Sequence, residues 1–239
     1  MPRVRTPRAA VTAISLVAVT GLLTAVALLV TGSDDAGTPP ATAVAPTKTR
    51  SASPGTPRTP GWQVVDDTAA GLRYEVPPGW ALAPEEETLE SSNGVELGHL
   101  ADFGTYLCQG AEYGRAFSGS GTAEGEPATA AAELAAAIAA DQYSDGSQTA
   151  RVTLSRPTPV VRDGLRGAVV RADAEATADD VADRCASTRG TVTVVALATP
   201  TGTAVVVLGA DTEPRGTDRA PLASGEDLRT MTDSVRPLG

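Results

Sequence analysis

The sequence predicts an α+β domain: a curved antiparallel sheet covered by a mid-domain helix and a C-terminal helix, preceded by one transmembrane helix. Three observations predict it. An uncharged apolar run fills residues 9–32, an alanine-rich helical stretch lies at Pro127–Tyr143 between groups of short β-branched runs, and turn-forming residues punctuate those runs.

From Ala9 to Ser33 no residue is charged. At ~1.5 Å per residue such a run can cross a hydrocarbon core of ~30 Å as a helix. Arg3, Arg5 and Arg8 precede it and Asp34 and Asp35 follow it. The positive-inside bias therefore leaves residues 1–8 as a cytoplasmic tail, makes 9–32 a signal anchor, and exports the rest across the cell membrane. A cleaved signal peptide is the competing reading. Its apolar region would exceed the usual ~7–15 residues, and the nearest small-x-small site, Ala41-Thr42-Ala43, lies far beyond the run. No cysteine lies near the end of the run, which opposes lipoprotein processing.

Residues 33–60 hold six prolines among Thr, Ser, Ala and Gly, with no apolar periodicity that could bury a face. They read as a disordered linker, at most about 85 Å long when extended, that holds the domain off the membrane. Residues 61–239 form the extracytoplasmic domain, long enough to bury a core of its own. That stretch carries 13 basic and 27 acidic residues, a balance that opposes binding to nucleic acid or to anionic lipid and leaves nucleic acid out as a partner. Arginine use almost to the exclusion of lysine, with abundant alanine, reflects a high-GC genome, so part of the acidity is compositional.

Within the domain, Trp62–Val65 and Leu72–Val76 read as strands, the second stopped by Pro77-Pro78-Gly79 before Trp80. Val95–Phe103 reads as a strand with Val95, Leu97, Ala101 and Phe103 on one parity and hence on one inner face. Tyr106–Cys108 and Tyr113–Phe117 add a further strand or hairpin, and Phe117–Thr122, with its Ser-Gly repeats, reads as a loop. Pro127–Tyr143 begins with a proline in its first turn and places Leu134 and Ile138 one turn apart, which predicts a helix. Four antiparallel strands follow: Gln148–Ser155 extending past Pro157 and Pro159 to Val161, Leu165–Ala174, Thr191–Ala198, and Thr203–Ala210. Asp163-Gly164 and Thr199–Gly202 supply the turns. Ser224–Val235 closes the chain as a short amphipathic helix, with Ser224 as N-cap and Leu228, Met231 and Val235 in line.

The combination of Leu72–Trp80, an alanine-rich helix, a strand meander and a final helix ending Thr232–Pro237 resembles actinobacterial envelope proteins of the PsbP-like and LpqN-like sandwich, over residues 62–237. The resemblance implies a fold and an extracytoplasmic address. It carries no common chemistry onto residues here.

Cys108 and Cys185 are the only cysteines, and a lone pair in an oxidising compartment reads as one disulfide. Thiol catalysis lacks a Cys-x-x-Cys spacing, and a zinc site needs more than two cysteines and one histidine. His99 is the single histidine, so any Ser-His-Asp or Cys-His mechanism must use it. Its place among alternating apolar residues predicts a half-buried structural side chain. Two acidic groups, Glu85, Glu86, Glu87 and Glu90, and Asp173, Glu175, Asp179, Asp180 and Asp183, lack the calcium-loop spacing and read as solvated surface, with weak calcium binding as the alternative. Trp62, Tyr74, Trp80, Phe103, Tyr106 and Phe117 read as core anchors.

No catalytic, cofactor or metal residues are assigned. The expectation is a membrane-anchored binding or interaction module of the cell envelope. Its partners are the membrane, through residues 9–32, and an envelope protein, peptide or small ligand. The alternative is an anchored hydrolase using scattered carboxylates or His99.

Overall fold

The computed structural model describes residues 55–144, 149–176, 185–214 and 220–238. The predicted anchor at 9–32, most of the linker, and Asp179, Asp180 and Asp183 lie outside them. Among the described residues no helix is long and apolar enough to cross a membrane.

The chain runs β1 (Gln63–Asp67), β2 (Leu72–Val76), β3 (Ala81–Leu82), β4 (Leu89–Glu90), β5 (Glu96–Phe103), β6 (Tyr106–Cys108), β7 (Ala111–Tyr113), β8 (Ala116–Ala123), α1 (Pro127–Tyr143), β9 (Arg151–Leu154), β10 (Thr158–Arg162), β11 (Leu165–Glu175), β12 (Arg189–Thr199), β13 (Gly202–Asp211), α2 (Gly225–Ser234) and β14 (Arg236–Pro237). It is α+β and mainly antiparallel sheet. A nine-stranded sheet has the order β10-β11-β12-β13-β8-β5-β3, with β9 also on β11 and β4 also on β5. A three-stranded sheet, β1-β2-β14, and the β6-β7 hairpin complete it.

Two apolar layers follow from strand alternation. Leu134 and Ile138 of α1 pack with Val170, Val192, Val194, Val205 and Val207 on one face of the large sheet. On its other face Val195, Leu197, Val206 and Leu208 meet Leu72, Tyr74 and Val76 of the small sheet, with Met231 of α2 and the following Val235. β13 is buried from Thr203 to Asp211, which explains why it reads as an almost unbroken apolar run. Ser224 caps α2 as its sequence demands, its Oγ accepting from the amides of Glu226 and Asp227. Gly190 on β12 leaves room for Tyr143: a Cβ there would stand 1.7 Å from the tyrosine oxygen.

Two expectations are corrected. Phe117–Thr122 is no loop but the middle of β8, between β13 and β5. Its glycines are there because β5 lies so close: a Cβ on Gly121 would come within 2.4 Å of the Glu96 carbonyl, and one on Gly119 within 2.7 Å of Leu100 Cδ2. The single inner parity of Val95–Phe103 also fails. Gly98 pairs with Ser120 and Ala101 with Ser118, so His99 and Leu100 together oppose Gly119 in a β-bulge. The extra residue sends Leu97 and Leu100 toward α1 and turns Ala101 and Phe103 toward the small sheet.

Candidate functional site

The bulge places His99 at a corner between the two sheets. Its backbone is left-handed, with φ 50°, an uncommon conformation for a residue with a side chain. The imidazole is 28% exposed, and its Nε2 lies 3.7 Å from Oδ1 of the buried Asp67. Asp67 ends β1 and is already committed: Oδ1 accepts the Ala70 amide at 2.8 Å and Oδ2 accepts the Ser120 hydroxyl at 2.8 Å. Nearby, the Tyr74 hydroxyl donates to the His99 carbonyl at 2.8 Å and lies 3.3 Å from Ser118 Oγ.

Chemically this is a histidine–carboxylate–serine set with the carboxylate in the middle. Nucleophilic catalysis needs the hydroxyl proton directed at the imidazole. Here Ser120 is buried and gives its proton to Asp67 instead. The half-buried state of His99 follows the sequence expectation. Asp67, Ser118 and Ser120 were missed, because a serine alternating with glycine carries no hydrophobic signal.

The second assembly is the β6-β7 hairpin. Gln109 (φ 52°) and Gly110 (φ 81°) form its turn, both with the positive φ of a type I′ connection. Cys108 and Cys185 are joined by a disulfide, with Cα atoms 5.7 Å apart. The Tyr106 hydroxyl donates to the Cys185 carbonyl at 2.6 Å, and the Tyr106 and Tyr113 rings stack at 5.5 Å. The Arg115 guanidinium lies 4.3 Å from the centre of the Tyr106 ring. It is buried, with Nη1 donating to Asp211 Oδ2 at 3.0 Å, while the Tyr143 hydroxyl donates to Asp211 Oδ1 at 3.0 Å. Burial, with the Asp211 charge beside it, pushes the Tyr143 hydroxyl well above its ordinary range. A two-stranded hairpin of three-residue strands would not hold its shape in water unaided. This one is braced from below, and on it stands Leu107, 78% exposed.

The third assembly fixes the entry of the chain. Glu75 is fully buried on β2, where Oε1 accepts the Arg58 amide at 2.8 Å and Oε2 the Thr59 amide at 2.9 Å. Arg236 Nη2 lies 2.9 Å from Oε1. Residues given to the linker by sequence are thus tied to the sheet. Burial alone would raise the Glu75 carboxyl, but the Arg58 and Thr59 amides and the Arg236 guanidinium outweigh it and hold the group below its ordinary 4.5. The stabilisation is therefore complete above pH 4.5 and is lost as pH falls through the lower folded value. Glu75→Gln should cost about 2–3 kcal/mol at pH 7, by leaving Arg236 buried without its anion. That gap should narrow below pH 4.5, which denaturant melts of both proteins against pH will check.

Of the acidic groups, Glu85, Glu86 and Glu90 are exposed and Glu87 partly so. Asp173 pairs with Arg171, and Glu175 with Arg189. Among the described residues no three His, Cys, Asp or Glu side chains gather as a metal site would require. Tyr74 and Trp80 are buried, and Trp80 stacks with Phe103 at 5.8 Å.

The family described as a domain of unknown function, DUF8017, matches residues 55–239. No curated protein is similar to the chain.

Proposed function

For a chain that belongs to the DUF8017 family, we propose the role of a membrane-anchored extracytoplasmic module that binds an envelope protein or peptide through the β6-β7 hairpin. The observation that carries this reading is the disulfide-braced hairpin that presents Leu107. A disulfide suits the oxidising side of a membrane, and an exposed apolar side chain on a rigid support needs little ordering when a partner covers it. The apolar run at 9–32 supplies the anchor in the same reading. The likeness to PsbP-like and LpqN-like envelope proteins belongs to it as well, resting on the Leu72–Trp80 corner and the order of elements.

The hydrolase alternative would rest on His99, whose left-handed backbone and Asp67 neighbour are features found at active sites. Ser120, committed to Asp67, favours binding instead.

A photo-crosslinking residue at position 107, in cells that make the full chain, should give one discrete adduct. Excess purified native protein should compete it away, His99→Asn protein should compete equally well, and Leu107→Asp protein should fail. Absence of any competed adduct would sink the hairpin reading. Loss of competition by folded His99→Asn alone would move the function to the histidine corner.

A further inference from the structure

Leu107 does not stand alone on the β6-β7 hairpin. Register sets Tyr106 opposite Tyr113, Leu107 opposite Glu112 and Cys108 opposite Ala111. Side chains alternate along a strand, so the outer two pairs share one face and the middle pair takes the other. The first face is engaged: the tyrosine rings stack on each other and Cys108 is bonded to Cys185. On the second face Leu107 and Glu112 are both exposed.

Directly opposed residues have Cβ atoms about 5 Å apart, so the leucine and the glutamate form one small surface. They do not stabilise each other. Cross-strand stabilisation comes from aromatic, β-branched or opposite-charge pairs, and a leucine beside a carboxylate is none of these. The stacked tyrosines and the disulfide hold the hairpin from within, which leaves the outward pair free for another purpose.

The Glu112 charge is also uncompensated, since among the described residues no cation pairs with it. The arginines at the base of the hairpin are taken. Arg115 is bound to Asp211, and Arg189, which follows Cys185 into β12, is bound to Glu175 and Glu213. The tip therefore presents an apolar side chain with a negative charge at its flank.

We infer that Leu107 and Glu112 together dock on an envelope protein that offers an apolar pocket with a lysine or arginine at its mouth. The inference rests on the hairpin reading above and names the chemistry of its partner. Leu107 fills the pocket and sheds its water, and Glu112 meets the cation at the rim, where a charge pair sets orientation and speeds encounter. The 27 acids against 13 basic residues of 61–239 add attraction at longer range. The same charges oppose two other occupants. An anionic bilayer would bring its phosphates against Glu112 as Leu107 entered, and a second copy docked about a two-fold axis would set Glu112 against its own counterpart.

The test places a diazirine analogue of leucine at position 107 of the full chain and reads the adduct formed in isolated envelopes. The adduct should be with another protein. Purified Glu112→Gln protein should compete for it about tenfold less well than native protein, and Glu112→Lys protein about a hundredfold less well. Glu85→Lys, the same charge change at another exposed acid, should compete as native protein does. At 1 M salt the gap between native and Glu112→Gln competitors should close. Mapping the Cys108–Cys185 link in each variant verifies that it is folded. No adduct at all would overturn the hairpin reading and this inference with it. An adduct for which the Glu112 variants compete as well as native protein overturns the charge pairing and leaves the hairpin reading standing. Equal losses for Glu112→Lys and Glu85→Lys would make the effect one of net charge, and capture of lipid or of a second copy would replace the protein partner. Either result overturns the inference.

Discussion

Arg115→Ala should lower the unfolding free energy by about 3–5 kcal/mol, with a fall in Tm on the order of 10 °C. The guanidinium is fully buried between the Tyr106 ring and Asp211, and its removal leaves the Asp211 carboxylate in the interior without this cation. A buried ion pair contributes little relative to an apolar replacement, but half of one is costly, because the surviving charge keeps its desolvation penalty. The double variant Arg115→Met with Asp211→Leu should therefore be more stable than Arg115→Ala alone. Chemical denaturation of the three proteins checks this ordering. Equal losses for the single and double variants would show that packing against Tyr106, rather than charge, dominates the site.

Cys108→Ser with Cys185→Ser should destabilise by about 4.5 kcal/mol at most, the chain-entropy value for so long a loop. The two cysteines are 77 residues apart, with α1 and β8 to β11 between them. The bond also fixes the hairpin, so the reduced protein should lose ordered signals from Tyr106 and Tyr113 before the large sheet melts. Thermal melts with and without reductant, followed by tyrosine fluorescence and by far-ultraviolet dichroism, separate the two events. One coincident transition shifted by less than about 1 kcal/mol would mean that the stacked tyrosines and Arg115 hold the hairpin unaided.

The elements that can be read from sequence are those whose signal is local. Pro127–Tyr143 is helical over its predicted span, because alanine propensity and the Leu134–Ile138 spacing act within one turn. Asp163-Gly164 and Thr199–Gly202 mark their hairpins, and Ser224 marks the start of α2. The pairing of Cys108 with Cys185 needs only that there are two cysteines. What escapes is set by partners distant in sequence. Gly119 and Gly121 look like loop residues until Leu100 and the Glu96 carbonyl occupy the space above them. The bulge at His99 reverses a parity that alternation alone cannot contradict. β14 is two residues long and is defined only by its pairing with β2. The charge pairs behave likewise: Glu75 and Arg236 are ordinary surface residue types by sequence, and only the small sheet makes them a buried pair that holds the incoming chain. Of the candidate sites, the histidine and the cysteines were legible as residue types.

The central claim is that this domain stands outside the membrane, anchored and oxidised. The direct measurement is to treat intact protoplasts making the full chain with protease and a membrane-impermeant thiol reagent, then map peptides without reduction. The account predicts that the domain is released without lysis, that residues 1–32 stay with the membrane, and that Cys108 and Cys185 are recovered as one linked peptide with no alkylated thiol. A domain protected until lysis, carrying two free and alkylatable cysteines, would contradict it.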